Sequence, residues 1–401
     1  MRSARVADHV NTGRIRHFVF DRRKMSTHLN DHELIDRILA HIDGQSTDKG
    51  SSVWREPAAN YVSPQRFEAE LDVMRRVPIA FCPSAALPDP GSYIARTSLG
   101  TPLLVVRGTD GIVRGFRNAC RHRGMRLAEG EGCKRAFSCP YHAWTYGLDG
   151  ALRHIPAADG FPGLDKDAHG LMPVTAHEQG GIVFITQEAP LSDGPLPDLP
   201  DLLPSDYVHF NTLEFDDKAN WKLIGETSME GYHIRALHGQ SFYPYGYDNL
   251  NIVELHGCNS RIVFPFRRIE KLRNTPREEW DVQGRITDVH QLFPNSHVTF
   301  LSSHAMLVIL EPVTPSQTHW VIYQLAPRIK HGKPLDIAEA RRDANFVQDS
   351  GLTEDRQAAC AIQEGLASGA NSHFTFGHYE QAIGHFHKHL TGHIAKLQEL
   401  A

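Results

Sequence analysis

Apolar residues recur at helical spacing near the start of the sequence, in the stretch "LNDHELIDRILAHIDG". Asn30 or Asp31 stands where a helix cap is expected, because a short polar side chain can accept a hydrogen bond from the first backbone N–H groups. The apolar positions are Leu34, Ile35, Ile38, Leu39 and Ile42. Since they return every three or four residues, they predict an amphipathic helix with one buried face.

The pattern changes between residues 100 and 190, where short apolar runs are separated by turn residues. "TPLLVVRG" and "IVRGFRN" stand on either side of Asp110–Gly111, and a second pair, Asp149–Gly150, follows "AWTYGL". Asp-Gly between apolar runs is typical of a β-hairpin turn, in which positive φ angles are required. With "GIVFIT" as a buried strand, the region is predicted to be rich in short strands.

Proline and aspartate are concentrated in "PLSDGPLPDLPDLLPSD", which predicts a linker at 190–206. The chain then divides into an N-terminal extension and helix (1–50), a β-rich domain (51–205) and a second domain (206–401). The spacing in the second domain predicts both helices and strands. The predicted helices cover 220–238, 336–348, 354–367 and 379–399, and the predicted strands cover 260–267, 304–313 and 318–326.

The composition excludes several classes of function. A chain of 401 residues with 41% hydrophobic and 22% charged residues is typical of a globular protein. Its formal net charge of −5 argues against a general nucleic-acid binder, and no apolar run approaches the roughly 18–20 residues that span a bilayer. Six cysteines are too few for a disulfide scaffold of this length, so we expect a reducing, cytoplasmic location.

The first 24 residues are rich in arginine and lack the apolar core of a secretory signal. The regular helical pattern begins only after Met25. We therefore expect Met25, rather than Met1, to be the natural start, and a flexible basic tail is the alternative.

Candidate chemistry first appears in "CRHRGMRLAEGEGCKRAFSCPYHAW", which carries Cys120, His122, Cys139 and His142. Zinc could accept two thiolates and two imidazoles, but zinc sites usually pair the cysteines first and the histidines later. Here each half supplies one cysteine and one histidine. That pattern suits a [2Fe–2S] cluster in which one iron is held by two cysteines and the other by two histidines, the Rieske arrangement.

A second group of ligand-type residues lies in "ANWKLIGETSMEGYHIRALHG", residues 219–239. If the chain is helical from Trp221, then Glu226, Glu230 and His233 share one face, where a core-facing helix would carry apolar residues. Two carboxylates and an imidazole are costly to bury without partners or a metal. His238 could reach the same ion as His233 only if the helix bends or ends near 237–239.

A third ligand would have to come from elsewhere, because two histidines and one carboxylate make the facial triad of Fe(II) oxygenases. "GLTEDRQAACAIQEGLASG" (351–369) predicts a helix with Thr353 as its cap, and Asp355 extends the apolar stripe of that helix. Glu354 and Asp349 are alternates, and a first-turn carboxylate can also simply favour the helix dipole. The apolar stripe is Ala359, Ile362 and Leu366.

Two further patterns have competing explanations. The aromatic run "SFYPYGYDNL" could wall a substrate pocket or fill the core, and core filling is expected for most of its rings. His385, His389 and His393 have helical spacing, but an apolar stripe follows the same helix, so we expect a packed helix with these histidines at the surface. The stripe is Ile383, Phe386, Leu390, Ile394 and Leu397.

"CRHRG" and "CPYHAW" closely resemble the two cluster-binding loops of the Rieske non-heme iron oxygenases. Residues 219–239 resemble the E-x3-E-x-Y-H-x4-H pattern of the same proteins, including the N-W-K lead-in. The resemblance implies a terminal oxygenase large (alpha) subunit of the ring-hydroxylating dioxygenase and demethylase family. It also implies an α+β fold, with a small β-rich Rieske domain and a helix-grip (START-like) catalytic domain built on an antiparallel sheet.

The resemblance also assigns expected roles. His233, His238 and Asp355 would be ligands of a mononuclear Fe(II), and Glu230 would carry electrons to it from His142 of a neighbouring subunit. "FPNSH" resembles a segment near the substrate pocket in these proteins. The expected pocket residues are Glu226, Thr227, Phe242, Tyr243 and Asn295.

In such an enzyme O2 is the co-substrate, and electrons arrive from NAD(P)H through a separate ferredoxin or flavin reductase. The subunits are expected to form a head-to-tail homotrimer, with or without a separate beta subunit, and to bind neither nucleic acid nor membrane. We expect hydroxylation or oxidative demethylation of a small organic substrate, with an aromatic one favoured. A Rieske electron-transfer protein without oxygenase chemistry and a zinc-stapled binding protein are the alternatives.

Overall fold

The computed structural model describes residues 28–330 and 333–400. The predicted start at Met25 lies outside these residues. Seven α-helices are described: α1 (Asp31–Gly44), α2 (Pro64–Arg76), α3 (Trp221–Thr227), α4 (Ile234–Leu237), α5 (Ile337–Val347), α6 (Thr353–Leu366) and α7 (Gln381–Leu400). Within the described residues, none of these helices is long and apolar enough to cross a membrane.

Two large antiparallel sheets account for most of the strands. The strands before residue 190 are β1 (Trp54–Pro57), β2 (Ile79–Pro83), β3 (Ser92–Ser98), β4 (Thr101–Arg107), β5 (Val113–Arg117), β6 (Gly130–Cys133), β7 (Phe137–Ser138), β8 (Thr145–Tyr146), β9 (Leu152–His154), β10 (Pro173–Gln179) and β11 (Ile182–Thr186). The strands after it are β12 (Tyr207–Asp217), β13 (Ile252–His256), β14 (Asn259–Pro265), β15 (Ile286–Leu292), β16 (Ser296–Phe300), β17 (Ala305–Thr314), β18 (Gln317–Pro327), β19 (Ile329–Lys330), β20 (Lys333–Pro334) and β21 (His373–Phe376).

The first large sheet has the order β2-β11-β10-β5-β4-β3-β6, and the three-stranded sheet β7-β8-β9 stands beside it. Both predicted Asp-Gly hairpins are confirmed, since one turn joins β4 to β5 and the other joins β8 to β9. Gly111 and Gly150 have φ angles of 78° and 82°, which residues with a Cβ atom adopt only at a cost.

The second large sheet has the order β12-β18-β17-β16-β15-β14-β13. Its interior strand β17 is buried on both faces, which explains why residues 305–310 are a continuous apolar run. Leu307 and Ile309 pack toward the first sheet, together with Val183. Met306 and Val308 lie on the opposite face, in the cluster that contains helices α3 and α7. The predicted α+β fold, with an antiparallel sheet covered by a long helix, is confirmed.

Helix α1 forms as its pattern predicts. The side chain of Asn30 accepts a hydrogen bond from the backbone N–H of Glu33, and the side chain of Glu33 accepts one from the backbone N–H of Asn30. Leu34 and Ile38 are fully buried beside Ile252 of the edge strand β13.

A buried ion pair connects the two halves of the chain. Arg96 of β3 donates to Glu311 of β17 over 2.5 Å, and the backbone N–H of Leu99 donates to the same carboxylate over 3.0 Å. Breaking such a pair would leave an uncompensated buried charge, so the contact fixes how the sheets meet.

Candidate metal centres and cavity

The two cysteine–histidine loops have the same backbone design. In the first, the N–H groups of Gly124 and Cys120 donate to the carbonyls of Cys120 and Met125 over 2.8 Å. In the second, Ala143 donates to the carbonyl of Cys139, and Cys139 donates to that of Trp144. The fourth residue after each cysteine turns the chain with positive φ, 77° at Gly124 and 56° at Ala143. The sequence spacing gave no sign of this equivalence, because the second loop has one more residue between its cysteine and histidine.

The loops place the thiols inside and the imidazoles outside. Cys120 and Cys139 are each only 4% exposed, and burial raises the pKa of the Cys139 thiol. The rings of His122 and His142 lie 4.8 Å apart. Trp144 stacks on the His122 ring at 5.0 Å and is itself buried.

These four side chains are too spread out for one small ion. Among the described residues, they are not a set whose ligand atoms all lie within 4.8 Å of one another. A tetrahedral zinc ion would hold its ligands closer than that. The arrangement instead suits a two-iron cluster held at both ends.

The helix predicted over 220–238 is interrupted, which corrects the prediction that Glu226, Glu230 and His233 share one helical face. Helix α3 ends at Thr227, and α4 is a separate turn that begins after His233. The hydroxyl groups of Thr227 and Ser228 donate to the carbonyls of Ile224 and Gly225 over 2.8 Å. Such side-chain bonds compete with the helical ladder and end it.

The interruption brings the two histidines to one place. His233 and His238 are the residues that flank α4, and their rings lie 5.1 Å apart. The Oδ1 atom of Asp355 is 3.0 Å from Nε2 of His238 and 3.5 Å from Nε2 of His233. The three ligand atoms all lie within 4.8 Å of one another. Two imidazoles and a carboxylate at this separation can hold one ion from one side.

A second layer of carboxylates orients both imidazoles. Glu230 contacts Nδ1 of His233, and Glu354 lies 2.7 Å from Nδ1 of His238. With a metal bound, each Nδ1 would carry the proton and each Nε2 would offer its lone pair to the metal. Burial opposes protonation of His238, but Asp355 and Glu354 outweigh it, and the pKa of His238 lies above its ordinary value. Protons therefore compete with a metal for this site.

Asp355 reaches the site through a continuous helical run. Helix α5 continues through a π-type turn, Gln348–Leu352, directly into α6. Thr353 is consequently not the predicted cap, and its hydroxyl donates to the carbonyl of Gln348 over 2.8 Å. In the predicted stripe, Ala359 is fully buried, but Ile362 is 44% exposed because the helix covers the site only with its first turns.

A cavity of about 570 Å³ adjoins the triad and has mostly apolar walls. Two of the residues predicted for a substrate pocket, Thr227 and Phe242, line this cavity. Tyr245 and Tyr247 also line it, so the aromatic run does more than fill the core. The aromatic lining includes Phe242, Tyr245, Tyr247, Phe264, Trp320 and Phe346.

Three expected pocket residues do not line the cavity. The carboxylate of Glu226 accepts a hydrogen bond from the Tyr61 hydroxyl over 2.7 Å and lies 2.8 Å from Nε2 of His387. Asn295 precedes β16, and its amide donates to the carbonyl of Leu310 over 2.8 Å. The Tyr243 ring lies under the guanidinium groups of Arg235 and Arg267.

The cavity has polar residues that were not among the expected pocket residues, although one of them, His297, is the last residue of "FPNSH". Arg267, Arg268 and Asp343 line it, and so does His297 of β16. Burial lowers the pKa of His297 to about 4, and its Nδ1 has no hydrogen-bond partner among the described residues. The alternation of β16 could have identified His297 and Thr299, since alternate residues of a strand face one side.

Helix α7 confirms its predicted apolar stripe, in which Leu390 is fully buried. His385, His389 and His393 are half-buried rather than at the surface, because the helix also packs against Phe293 and Ser192. None of them belongs to a metal-ligand group among the described residues.

Two family models match the chain. The Rieske [2Fe-2S] domain matches residues 77–166, and the ring hydroxylating alpha subunit (catalytic domain) matches residues 204–396. A crystal structure of a quaternary ammonium Rieske monooxygenase superimposes on the chain with a TM-score of 0.73 and 22% sequence identity. The superposition covers 85% of this chain and 95% of the monooxygenase chain.

Named relatives act on quaternary ammonium compounds. The glycine betaine monooxygenase oxygenase subunit of Pseudomonas aeruginosa is 31% identical over 75% of this chain and 81% of its own length. The carnitine monooxygenase oxygenase subunit of Acinetobacter baumannii is 33% identical over 46% of this chain. The match spans only about half, 53%, of that relative.

Proposed function

The chain belongs to the Rieske non-heme iron oxygenases as an alpha subunit, and from that premise we propose that it oxidises a small zwitterionic quaternary ammonium compound. The observation that carries the proposal is the aromatic cavity beside the His233, His238 and Asp355 triad. This replaces the expected aromatic substrate, because the relatives are named for carnitine and glycine betaine.

The donor sets suit the groups that the family holds. Cys120, His122, Cys139 and His142 would hold the [2Fe–2S] cluster, and the triad would hold one Fe(II) through two nitrogens and one oxygen. When bound, the cluster would supply electrons and the iron would activate O2. Glu230 and Glu354 would keep the imidazoles turned toward the metal, and the Phe242 ring, 5.0 Å from that of His238, would exclude water.

Aromatic walls suit a trimethylammonium group. A quaternary ammonium ion cannot donate hydrogen bonds, and it is attracted to the faces of aromatic rings within about 6 Å of their centroids. Phe242 and Tyr245 both stand close to Phe346, with ring separations of 6.3 and 6.2 Å. We assign the cationic end of the substrate to this aromatic corner, next to the triad.

Two arginines suit a carboxylate at the other end. The guanidinium of Arg267 lies 5.2 Å from the Tyr247 ring, and that of Arg268 donates to the Ser302 hydroxyl over 2.7 Å. Both residues line the cavity. Guanidinium groups bind carboxylates through paired hydrogen bonds, so they would select a betaine over an uncharged alcohol.

The proposed reaction hydroxylates a carbon bonded to the quaternary nitrogen. The carbinol then breaks at its C–N bond and releases an amine and an aldehyde. One atom of O2 enters the product and the other leaves as water, with two electrons from NAD(P)H delivered by a separate ferredoxin or flavin reductase.

We further propose a head-to-tail trimer in which electrons cross between subunits. Tyr232 is 62% exposed next to Glu230, and Tyr141 is 54% exposed beside His142, which its ring contacts at 3.8 Å. Exposed aromatic residues near both centres suit a subunit contact. Glu230 already contacts His233, so a partner's imidazole reaching that carboxylate would complete the path.

The test follows O2 uptake by iron-replete protein with a surrogate reductase and NADH. Glycine betaine, carnitine, choline and a set of methoxylated aromatic compounds would be compared, and formaldehyde and trimethylamine would be assayed. A betaine is expected to stimulate O2 uptake most, with an equal amount of aldehyde or amine. Arg268→Gln should raise KM for the betaine more than for choline. Preference for an aromatic compound would contradict the proposal.

A further inference from the structure

A second group of side chains that could bind a metal lies at the edge of the second large sheet, apart from the triad. It consists of His28, just ahead of α1, and of Glu254 and His256 on β13. One ligand atom of each lies within 4.8 Å of the other two. Glu254 and His256 are two residues apart on one strand, so both side chains face the same side of the sheet.

The two strand residues are held at a separation suited to a shared ion. Nε2 of His256 lies 3.8 Å from Oε1 of Glu254, which is beyond a hydrogen bond but ordinary for two ligands of one metal. Both side chains are largely buried, 11% and 7% exposed. The ring of His28 lies against that of His256 with centroids 3.9 Å apart.

The segment that carries His28 is fixed in place. The N–H of Leu29 donates to Oε1 of Glu254 over 2.8 Å, and its carbonyl accepts from Arg261 over 3.2 Å. These bonds hold the backbone beside His28 against β13 and β14. The ligand positions are therefore preorganised, which lowers the entropic cost of binding an ion.

The charged groups around these three residues include two buried carboxylates, those of Glu254 and Asp288. Arg261 is the buried partner of two carboxylates, since it binds Asp288 through two bonds of 2.9 and 2.8 Å and Glu254 through one of 3.0 Å. The imidazole of His290 also lies near Asp288, with its Nε2 atom 3.3 Å from Oδ1. Glu254 is therefore the carboxylate whose charge an ion between His28 and His256 would balance. The two imidazoles of the group would bind an ion through their ring nitrogens in the neutral form.

We propose that His28, Glu254 and His256 bind a divalent zinc-type ion, which ties the segment ahead of α1 to the edge strand β13. Two histidines and one glutamate are a ligand set that proteins use for zinc, with a fourth position left for water. The ion lies outside the oxygenase cavity, so its role is to hold the N-terminal segment rather than to react with substrate.

The test counts zinc by equilibrium dialysis of the full-length chain with Zn(II), followed by elemental mass spectrometry. It is done in a His233→Ala background, so that the triad does not contribute. About one zinc per chain is expected to remain in this background. Replacing His28 with Gln, or Glu254 with Gln, should weaken Zn(II) binding by about 100-fold or more, because loss of an outer-shell partner alone costs about 10–100-fold and these residues would contact the ion directly.

A matched control separates the site from the surface histidines. His32→Gln changes a half-buried histidine, the second residue of α1, whose ring packs edge-on against Trp280, and this variant should keep the zinc. Visible absorbance of the cluster would show that each variant is folded. Added Zn(II) should also raise the unfolding midpoint of the His233→Ala chain but not of the His28→Gln double variant. No retained zinc, or equal retention by the His28 and His32 variants, would overturn the proposal.

Discussion

Two adjacent carboxylates at the head of α6 have different contacts and therefore different expected roles. Asp355 faces the Nε2 atoms of both histidines, whereas Glu354 binds Nδ1 of His238 and the Ser241 hydroxyl. Asp355→Ala should abolish mononuclear iron binding and leave two irons of the cluster per chain. Glu354→Gln should only weaken iron binding, by about 10–100-fold. Iron content and cluster absorbance measure both, and equal losses in the two variants would contradict the assignment.

A buried carboxyl group should give the fold a pH dependence of its own. Burial raises the pKa of Glu226 from 4.5 to about 8. The folded chain keeps this proton between those values while the unfolded chain loses it, so stability falls as pH rises through that window. Glu226→Gln keeps a neutral group next to Tyr61 and removes this contribution. The variant should be more stable than the parent at pH 8, by at least about 1 kcal/mol, and the gap should close near pH 5.

The measurement is the thermal unfolding midpoint of both proteins from pH 5 to 8. If the midpoints of the two proteins differ by the same amount at every pH in that range, Glu226 is ionised in the folded state and the prediction is wrong.

At the scale of elements, the gap between α3 and α4 allows His233 and His238 to approach each other and Asp355. Gly231 is buried in this gap, and a Cβ atom there would lie 2.2 Å from Oδ1 of Asn251 and 3.1 Å from the Phe264 ring. Gly231→Ala should therefore displace the His233 segment, destabilise the fold by about 1–3 kcal/mol and lower iron occupancy at the triad.

Gly225→Ala is the matched control, because a Cβ atom at this position of α3 would make only ordinary contact with Leu310, at 3.5 Å. Alanine is favoured over glycine in a helix, so this variant should be neutral or slightly stabilising. Similar iron loss in both variants would mean that the gap does not depend on close packing at Gly231.

The elements that the sequence predicted well are those with local causes. Helix α1 has its cap and apolar stripe within fifteen residues, and the Asp-Gly hairpins need only their own turn residues. The end of α3 was missed because the spacing of Glu226, Glu230 and His233 suits a helix, although Thr227 and Ser228 are a local signal for its end. The packing of Gly231 against Asn251 and Phe264 could not be predicted, because those residues are distant in sequence. The cavity wall was missed for the same reason, since Arg267 and His297 meet only in the folded sheet.

At the scale of the whole molecule, electrons are proposed to pass between subunits. A Cys139→Ser chain would lack the cluster, and an Asp355→Ala chain would lack the mononuclear iron, so each alone should be inactive. Coexpressed and purified as mixed trimers, they should recover about one quarter of the parent activity if the subunits assort at random, because one junction in four then joins an intact cluster to an intact triad. Mixed trimers that stay inactive would place the electron path within one chain.

The family could be recognised from the sequence because its ligands lie in two short segments, 120–142 and 233–238, that keep their spacing. The substrate class could not be predicted from the sequence, because residues of strands β14–β18 and of α5 line the cavity. These residues are scattered along the chain and do not form a short motif.

The most direct test of the proposed activity is a single turnover without a reductase. Iron-replete protein would be reduced chemically, freed of reductant, and mixed with O2 and glycine betaine or carnitine, and product would be counted against cluster reoxidation. The account predicts aldehyde or amine in proportion to the active sites, and none from Asp355→Ala. Reoxidation of the cluster without product from either betaine, in protein with a full complement of iron, would contradict it and favour an electron carrier.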